Sequence, residues 1–150
     1  MQLTFQRLRP DAVIPQRATP FSAGLDLSAC VDADIVLAPH EIRLIPTGLA
    51  AALDVSDAML MLCARSGLAA KHGIGMANGV GIVDTDYRGE IKVPLINQSD
   101  VPFTVTPGMR IAQLIAVPVL MPEAAEADTL PETVRGAGGF GSTGTDAPKG

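Results

Sequence analysis

Asn78-Gly79-Val80-Gly81-Ile82-Val83-Asp84-Thr85-Asp86-Tyr87-Arg88-Gly89-Glu90-Ile91-Lys92 is the stretch on which the reading of this chain turns. Val80 and Ile82 alternate with Gly79 and Gly81, a strand-like period that stops at Asp84. Asp84 to Gly89 is polar and turn-forming. Ile91, Val93 and Leu95 then restart the alternation with Lys92 and Pro94 between them. Two period-two runs around a turn that contains Gly predict a β-hairpin. An Asn, a carboxylate, a lone Tyr and several glycines meet here, a set suited to holding a small planar ligand against backbone with a base beside it.

Outward from this stretch the chain keeps the same texture. Strand-like runs of four to eight residues recur between Gly, Pro and Asp signals: Leu3 to Arg7, Ala23 to Cys30, Asp34 to Leu37, Glu41 to Ile45, Thr47 to Leu53, Ala58 to Ala64 and Val101 to Val105, and Met109 to Met121 is the longest apolar run. That rhythm predicts an all-β sandwich or barrel. One short helix is predicted, Ser66 to His72, stopped by Gly73. Glu123 to Asp128 has room for a helical turn between Pro122 and Pro131. After Pro131 the composition becomes glycine-rich, and a mobile arm is expected there.

Composition narrows the function. With 150 residues the chain is read as one domain, 47% hydrophobic but only 3% aromatic, so the core must be aliphatic. A net charge of −5 argues against general nucleic-acid binding, which needs a basic face. No secretory pattern opens the chain, and no apolar run reaches the roughly 20 residues of a membrane span. Cys30 and Cys63 read as two buried, reduced thiols of a cytoplasmic protein. The two His lack metal-ligand spacing.

Several residue groups carry chemistry. Arg65-Ser66-Gly67 opens the short helix, where backbone N–H groups, a hydroxyl and a guanidinium offer an oxyanion site; equally, Ser66 is a helix N-cap and Arg65 a surface charge. Arg110 and Gln113 lie three apart in one strand and so are expected on opposite faces. Asp26 is a turn residue, an arginine partner or a group near a metal. Asp84 is the base candidate, expected to leave the sheet at a partly desolvated place, with Asp86 pointing the other way; a turn-capping role competes. Arg135-Gly136-Ala137-Gly138-Gly139-Phe140-Gly141-Ser142-Thr143-Gly144 is either a linker or a phosphate-binding flap. No Walker pattern is present.

Taken together, Ala23-Gly24-Leu25-Asp26-Leu27, Arg65-Ser66-Gly67-Leu68, Asn78 to Tyr87, Arg110-Ile111-Ala112-Gln113-Leu114 and Arg135 to Gly144 resemble, in order, the five motifs of the trimeric dUTP diphosphatases (dUTPases). The resemblance implies a distorted jelly-roll or β-barrel subunit over residues 1–133, and a C-terminal arm over 134–150 that reaches a neighbour. It implies a homotrimer with active sites shared between chains, and hydrolysis of dUTP to dUMP and pyrophosphate with Mg²⁺. Asn78 and the backbone of Gly81, Ile82 and Val83 resemble the uracil-reading element. Tyr87 resembles the residue packed under the deoxyribose, Asp84 the carboxylate that activates water, and Lys92 a substrate contact. Arg65, Ser66, Gly67 and Gln113 resemble the α/β-phosphate clamp. Arg135, Ser142 and Thr143 resemble the grip on the γ-phosphate, with Gly141 a further substrate contact, Phe140 over uracil, and Asp26 a residue that meets the metal through water. Ala64 and Ala137 depart from the family pattern, where Pro and a hydroxyl residue are common. A related dCTP deaminase and a dUTP-binding regulator fit the motifs less well.

Overall fold

Alternation becomes strand wherever one face finds a core. In Ala58-Met59-Leu60-Met61-Leu62-Cys63-Ala64, residues 58, 60 and 62 are buried while their neighbours are half-covered, and this segment is strand β6 (Ala58–Ala64). The computed structural model describes residues 1–139. Before β6 come β1 (Leu3–Arg7), β2 (Leu25–Ser28), β3 (Ile35–Leu37), β4 (Ile42–Pro46) and β5 (Leu49–Leu53). After it come α1 (Ser66–His72), β7 (Ile74–Met76), β8 (Gly81–Val83), β9 (Lys92–Asn97), β10 (Phe103–Val105) and β11 (Arg110–Pro118). All pairings are antiparallel. The strands form four small sheets, ordered β1-β5, β10-β3, β2-β11-β6-β8 and β4-β9-β7. The fold is all-β and jelly-roll-like, with one short helix among the described residues.

The core is aliphatic, as the composition requires. Its largest fully buried side chains are Leu27, Leu37, Ile45, Leu49, Leu62, Ile74, Ile91, Leu95, Ile111, Leu114, Val93 and Val105. Each contributes about 1.5–3 kcal/mol of transfer free energy. Two fully buried polar side chains among the described residues, Thr47 and Asn97, are hydrogen-bonded, Thr47 Oγ1 donating to Ile91 O (2.6 Å). The Asn97 amide donates to Leu37 O (3.1 Å) and Val101 O (2.9 Å) while accepting from Ser99 N–H (3.0 Å).

Four sequence expectations change. The runs flanking Asp84 are strands, but they do not pair with each other. β8 pairs with β6, and β9 with β4 and β7, so the stretch crosses between sheets instead of folding back as a hairpin. Arg110 and Gln113 share a face, because a bulge between Arg110 and Ala112 shifts the parity: Gln113 stands opposite Asp26, and Arg110 opposite Ser28. Residues 123–128 carry no helix. Cys30 is buried and burial pushes its thiol up, but Cys63 is only half-covered; both are free. Strand β7, which follows the helix directly, was not anticipated. No helix among the described residues is long and apolar enough to cross a membrane.

Candidate active site

Helix α1 is short, and its ends set one side of the site. Arg65 occupies the N-cap position with extended backbone (φ −86°, ψ 125°), and Ser66 is the first helical residue, so Ser66 is not the cap. Gly73 ends the helix at φ 67°, a left-handed conformation that glycine adopts without steric cost, and its N–H returns to Ala69 O and Leu68 O. The Ser66 hydroxyl makes no capping bond and stays exposed.

Arg65, Ser66, Gly67, Gln113 and Asp26 line one cavity of about 390 Å³. Asp26 organises it from strand β2. Its Oδ1 accepts from Arg65 Nε (3.0 Å) and its Oδ2 from Arg110 Nη1 (2.8 Å). The carboxylate is 18% exposed, so both guanidiniums are held close to one shielded charge. Arg65 Nη1 also donates to Arg110 O (3.3 Å). Gln113 Nε2 donates to Ala64 O (3.0 Å), which fixes the amide beside the start of the helix. Gly24 is tight here: a Cβ would stand 3.0 Å from Gln113 Cβ and 3.1 Å from its Oε1.

A second cavity, about 270 Å³, is lined by Ile82, Val83, Asp84, Tyr87 and Lys92, with Leu44, Glu90 and Ile91. Asp84 leaves the end of β8, and its carbonyl accepts the Tyr87 N–H (3.1 Å), closing a four-residue turn. Arg88 Nη1 donates to Thr85 O (2.6 Å) and Tyr87 O (2.9 Å) and braces that turn. The Tyr87 hydroxyl donates to Glu90 O (3.0 Å). Glu90 in turn accepts the Gly48 N–H (2.9 Å) and lies 3.5 Å from Lys92 Nζ. Asp84 is exposed in the single chain, against the expectation of partial desolvation, because the loop carries it beyond the edge of β8.

The two cavities share no lining residue. Asn78 lines neither; it is exposed in the turn between β7 and β8. Gly81 is buried against Leu62 and lines neither cavity. Arg135 is exposed, with Nε donating to Gly138 O (2.7 Å). Phe140, Gly141, Ser142 and Thr143 lie outside the described residues. Sequence reading missed Lys71, which lines the first cavity. Its position four residues after Gly67, on the same helical face, was the available signal. Glu90 in the second cavity carried no such signal, because its partner Gly48 is remote in sequence.

A sequence model of the dUTPase family matches residues 11–144. The chain belongs to the dUTPase family. It is 53% identical over 131 residues to the deoxyuridine 5'-triphosphate nucleotidohydrolase of Desulfitobacterium hafniense, covering 87% of each chain. It is 50% identical over 132 residues to that of Neisseria meningitidis, covering 88% of each. Among solved structures, the dUTPase of Staphylococcus bacteriophage 80alpha with dUpNHpp superposes with a TM-score of 0.82 at 24% identity, covering 96% of this chain and 99% of that one. A mutant dUTPase of phage phi11 of S. aureus, with a structural Mg(II) ion, gives 0.78 at 21% identity, covering 88% and 100%. At those identities the structural likeness speaks for the fold. As a dUTPase, the chain is an enzyme that hydrolyses dUTP.

Proposed function

We propose that hydrolysis proceeds by in-line attack of water on the α-phosphorus, giving dUMP and pyrophosphate, in sites assembled between the chains of a homotrimer. The observation that carries the assembly is the separation of the two cavities. The phosphate-type groups (Arg65, Ser66, Gly67, Gln113) and the base candidate Asp84 line different pockets of one chain. A neighbour's clamp facing the Asp84 pocket completes a site. Residues 1–133 form the β-barrel domain and 134–150 the arm that closes over it. In support, β11 is the last strand among the described residues and residues 120–137 are exposed.

Each residue acts through the atoms it has left over. The Asp84 carboxylate has no hydrogen-bond partner among the described residues, and its backbone is held by the 84–87 turn, so it is placed to orient a water and take its proton. Arg65 is anchored through Nε and Nη1, which leaves Nη2 for a phosphate oxygen. Gln113 uses one amide hydrogen on Ala64 O and keeps the other for phosphate. Ser66 and Gly67 add a hydroxyl and a backbone N–H. Asn78 and the main chain of Gly81, Ile82 and Val83 read uracil, Tyr87 packs under the deoxyribose, and Lys92 contacts substrate. Arg135, Ser142 and Thr143 grip the γ-phosphate, Gly141 is a further substrate contact, and Phe140 covers the base.

Mg²⁺ fits this donor set in one way. Among the described residues no three His, Cys, Asp or Glu side chains converge, and both Asp26 oxygens are engaged by arginines. A hard, hydrated ion would then be held by phosphate oxygens and water, and Asp26 would meet it only through a water. When bound it neutralises charge on the phosphoryl oxygens. In the cytoplasm the reaction keeps uracil out of DNA and supplies dUMP for thymidylate synthesis. Incubation with dUTP, dTTP, dCTP and UTP plus Mg²⁺, reading pyrophosphate, tests the reading. Selective dUTP cleavage is expected, and equal cleavage of all four overturns it.

A further inference from the structure

We infer that Gly89 is a positioning residue for Tyr87, and that its missing side chain is what lets the Tyr87 ring lie back over the Asp84–Glu90 turn. This rests on the proposed role of Tyr87 in reading the sugar. Gly89 does not lie in the left-handed region, unlike Gly48, Gly73, Gly79, Gly108 and Gly136, so its backbone is open to any residue. The demand for glycine comes from the ring instead. A Cβ on residue 89 would overlap the Tyr87 hydroxyl, stand 2.5 Å from Cζ and 2.9 Å from Cε2. Beyond its two chain neighbours, no other group comes closer to that position.

The ring is held there from both sides. Its hydroxyl donates to Glu90 O (3.0 Å), and the Glu90 side chain is tied to the Gly48 N–H (2.9 Å). The backbone before it is braced by Arg88 on Thr85 O and Tyr87 O. A methyl at 89 therefore pushes first on the Tyr87 ring. Tyr87 is 45% exposed and turns about two side-chain torsions, so the ring swings outward while the braced backbone stays. Swung outward, it no longer forms the floor against which a ribose 2′-OH would collide.

The chain contains no Trp and one Tyr, so its tyrosine emission reports Tyr87 alone. In Gly89→Ala, emission and quencher access are expected to change, and the preference for dUTP over UTP in kcat/KM is expected to fall about tenfold. Unaltered emission and quenching overturn the inference. Altered emission with intact preference also overturns it if Tyr87→Ala loses the preference; if Tyr87→Ala keeps it, the sugar reading itself fails. The double variant Gly89→Ala/Tyr87→Ala covers the case of a poorly folding single variant. The destabilisation by Gly89→Ala must vanish when the ring is gone, and an equal cost in both backgrounds refutes the clash.

Discussion

Asp26→Asn tests the organising charge of the first cavity. The substitution keeps shape and removes charge, leaving the Arg65 and Arg110 guanidiniums side by side without a counter-ion. Two contacts are weakened, at 3.0 and 2.8 Å. Hydrogen bonds to charged groups contribute about 1.5–3 kcal/mol when well shielded. Arg65 and Arg110 are 27% and 54% exposed, which screens each pair. A contribution of about 1 kcal/mol per contact, about 2 kcal/mol together, is the resulting magnitude. For a chain of this size that corresponds to a fall in thermal midpoint of about 4–8 °C. The assay is thermal unfolding at matched protein concentration, since association shifts the midpoint. It is run in low salt and in about 1 M salt, where the screening length is only about 3 Å and the difference should shrink. The KM for dUTP should rise as Arg65 loses its anchor. A low-salt midpoint within about a degree of the parent would refute the reasoning, because the pairs would then contribute nothing measurable.

Asp84→Asn is expected to lower kcat by about 10²–10⁴-fold while dUTP still binds, measured by turnover alongside equilibrium dialysis. A near-parental kcat would remove Asp84 from the base role. Deleting Val134 to Gly150 should raise KM and lower kcat, since an arm that covers the nucleotide both binds it and excludes water; unchanged steady-state kinetics would dismiss the arm. Asn97→Ala should cost about 1–3 kcal/mol in urea unfolding, because it removes the donor to the buried Leu37 O and the acceptor for the Ser99 N–H, while Val101 O keeps its bond from Ser99 Oγ. A loss well under about 1 kcal/mol would mean that water replaces the amide.

Local signals in the sequence were reliable where local forces decide. Ser66 to His72 with Gly73 behind it is a helix with a glycine stop, and Ala58 to Ala64 is a strand, at the residues their patterns predict. Partner choice is another matter. Period-two alternation says that Gly81–Val83 and Lys92–Asn97 are strands, but each finds its partners in a different sheet. That choice is set by which faces close the core, and Ile91, Val93 and Leu95 close it beneath β4 and β7. The bulge at Arg110–Ala112 was equally invisible, yet it decides which side chains meet Asp26. Of the site, the motifs named both cavities' principal residues. They did not name Glu90 or Lys71, and they gave no reason why residue 89 should lack a side chain.

The disjoint linings of the clamp and the Asp84 pocket carry a genetic consequence. In the proposed trimer, injury to one pocket and injury to the other fall on different halves of different sites. A chain disabled in Arg65 and a chain disabled in Asp84, each inert alone, would on mixing yield some sites with both halves intact. One reading frame would thus behave as two complementing units.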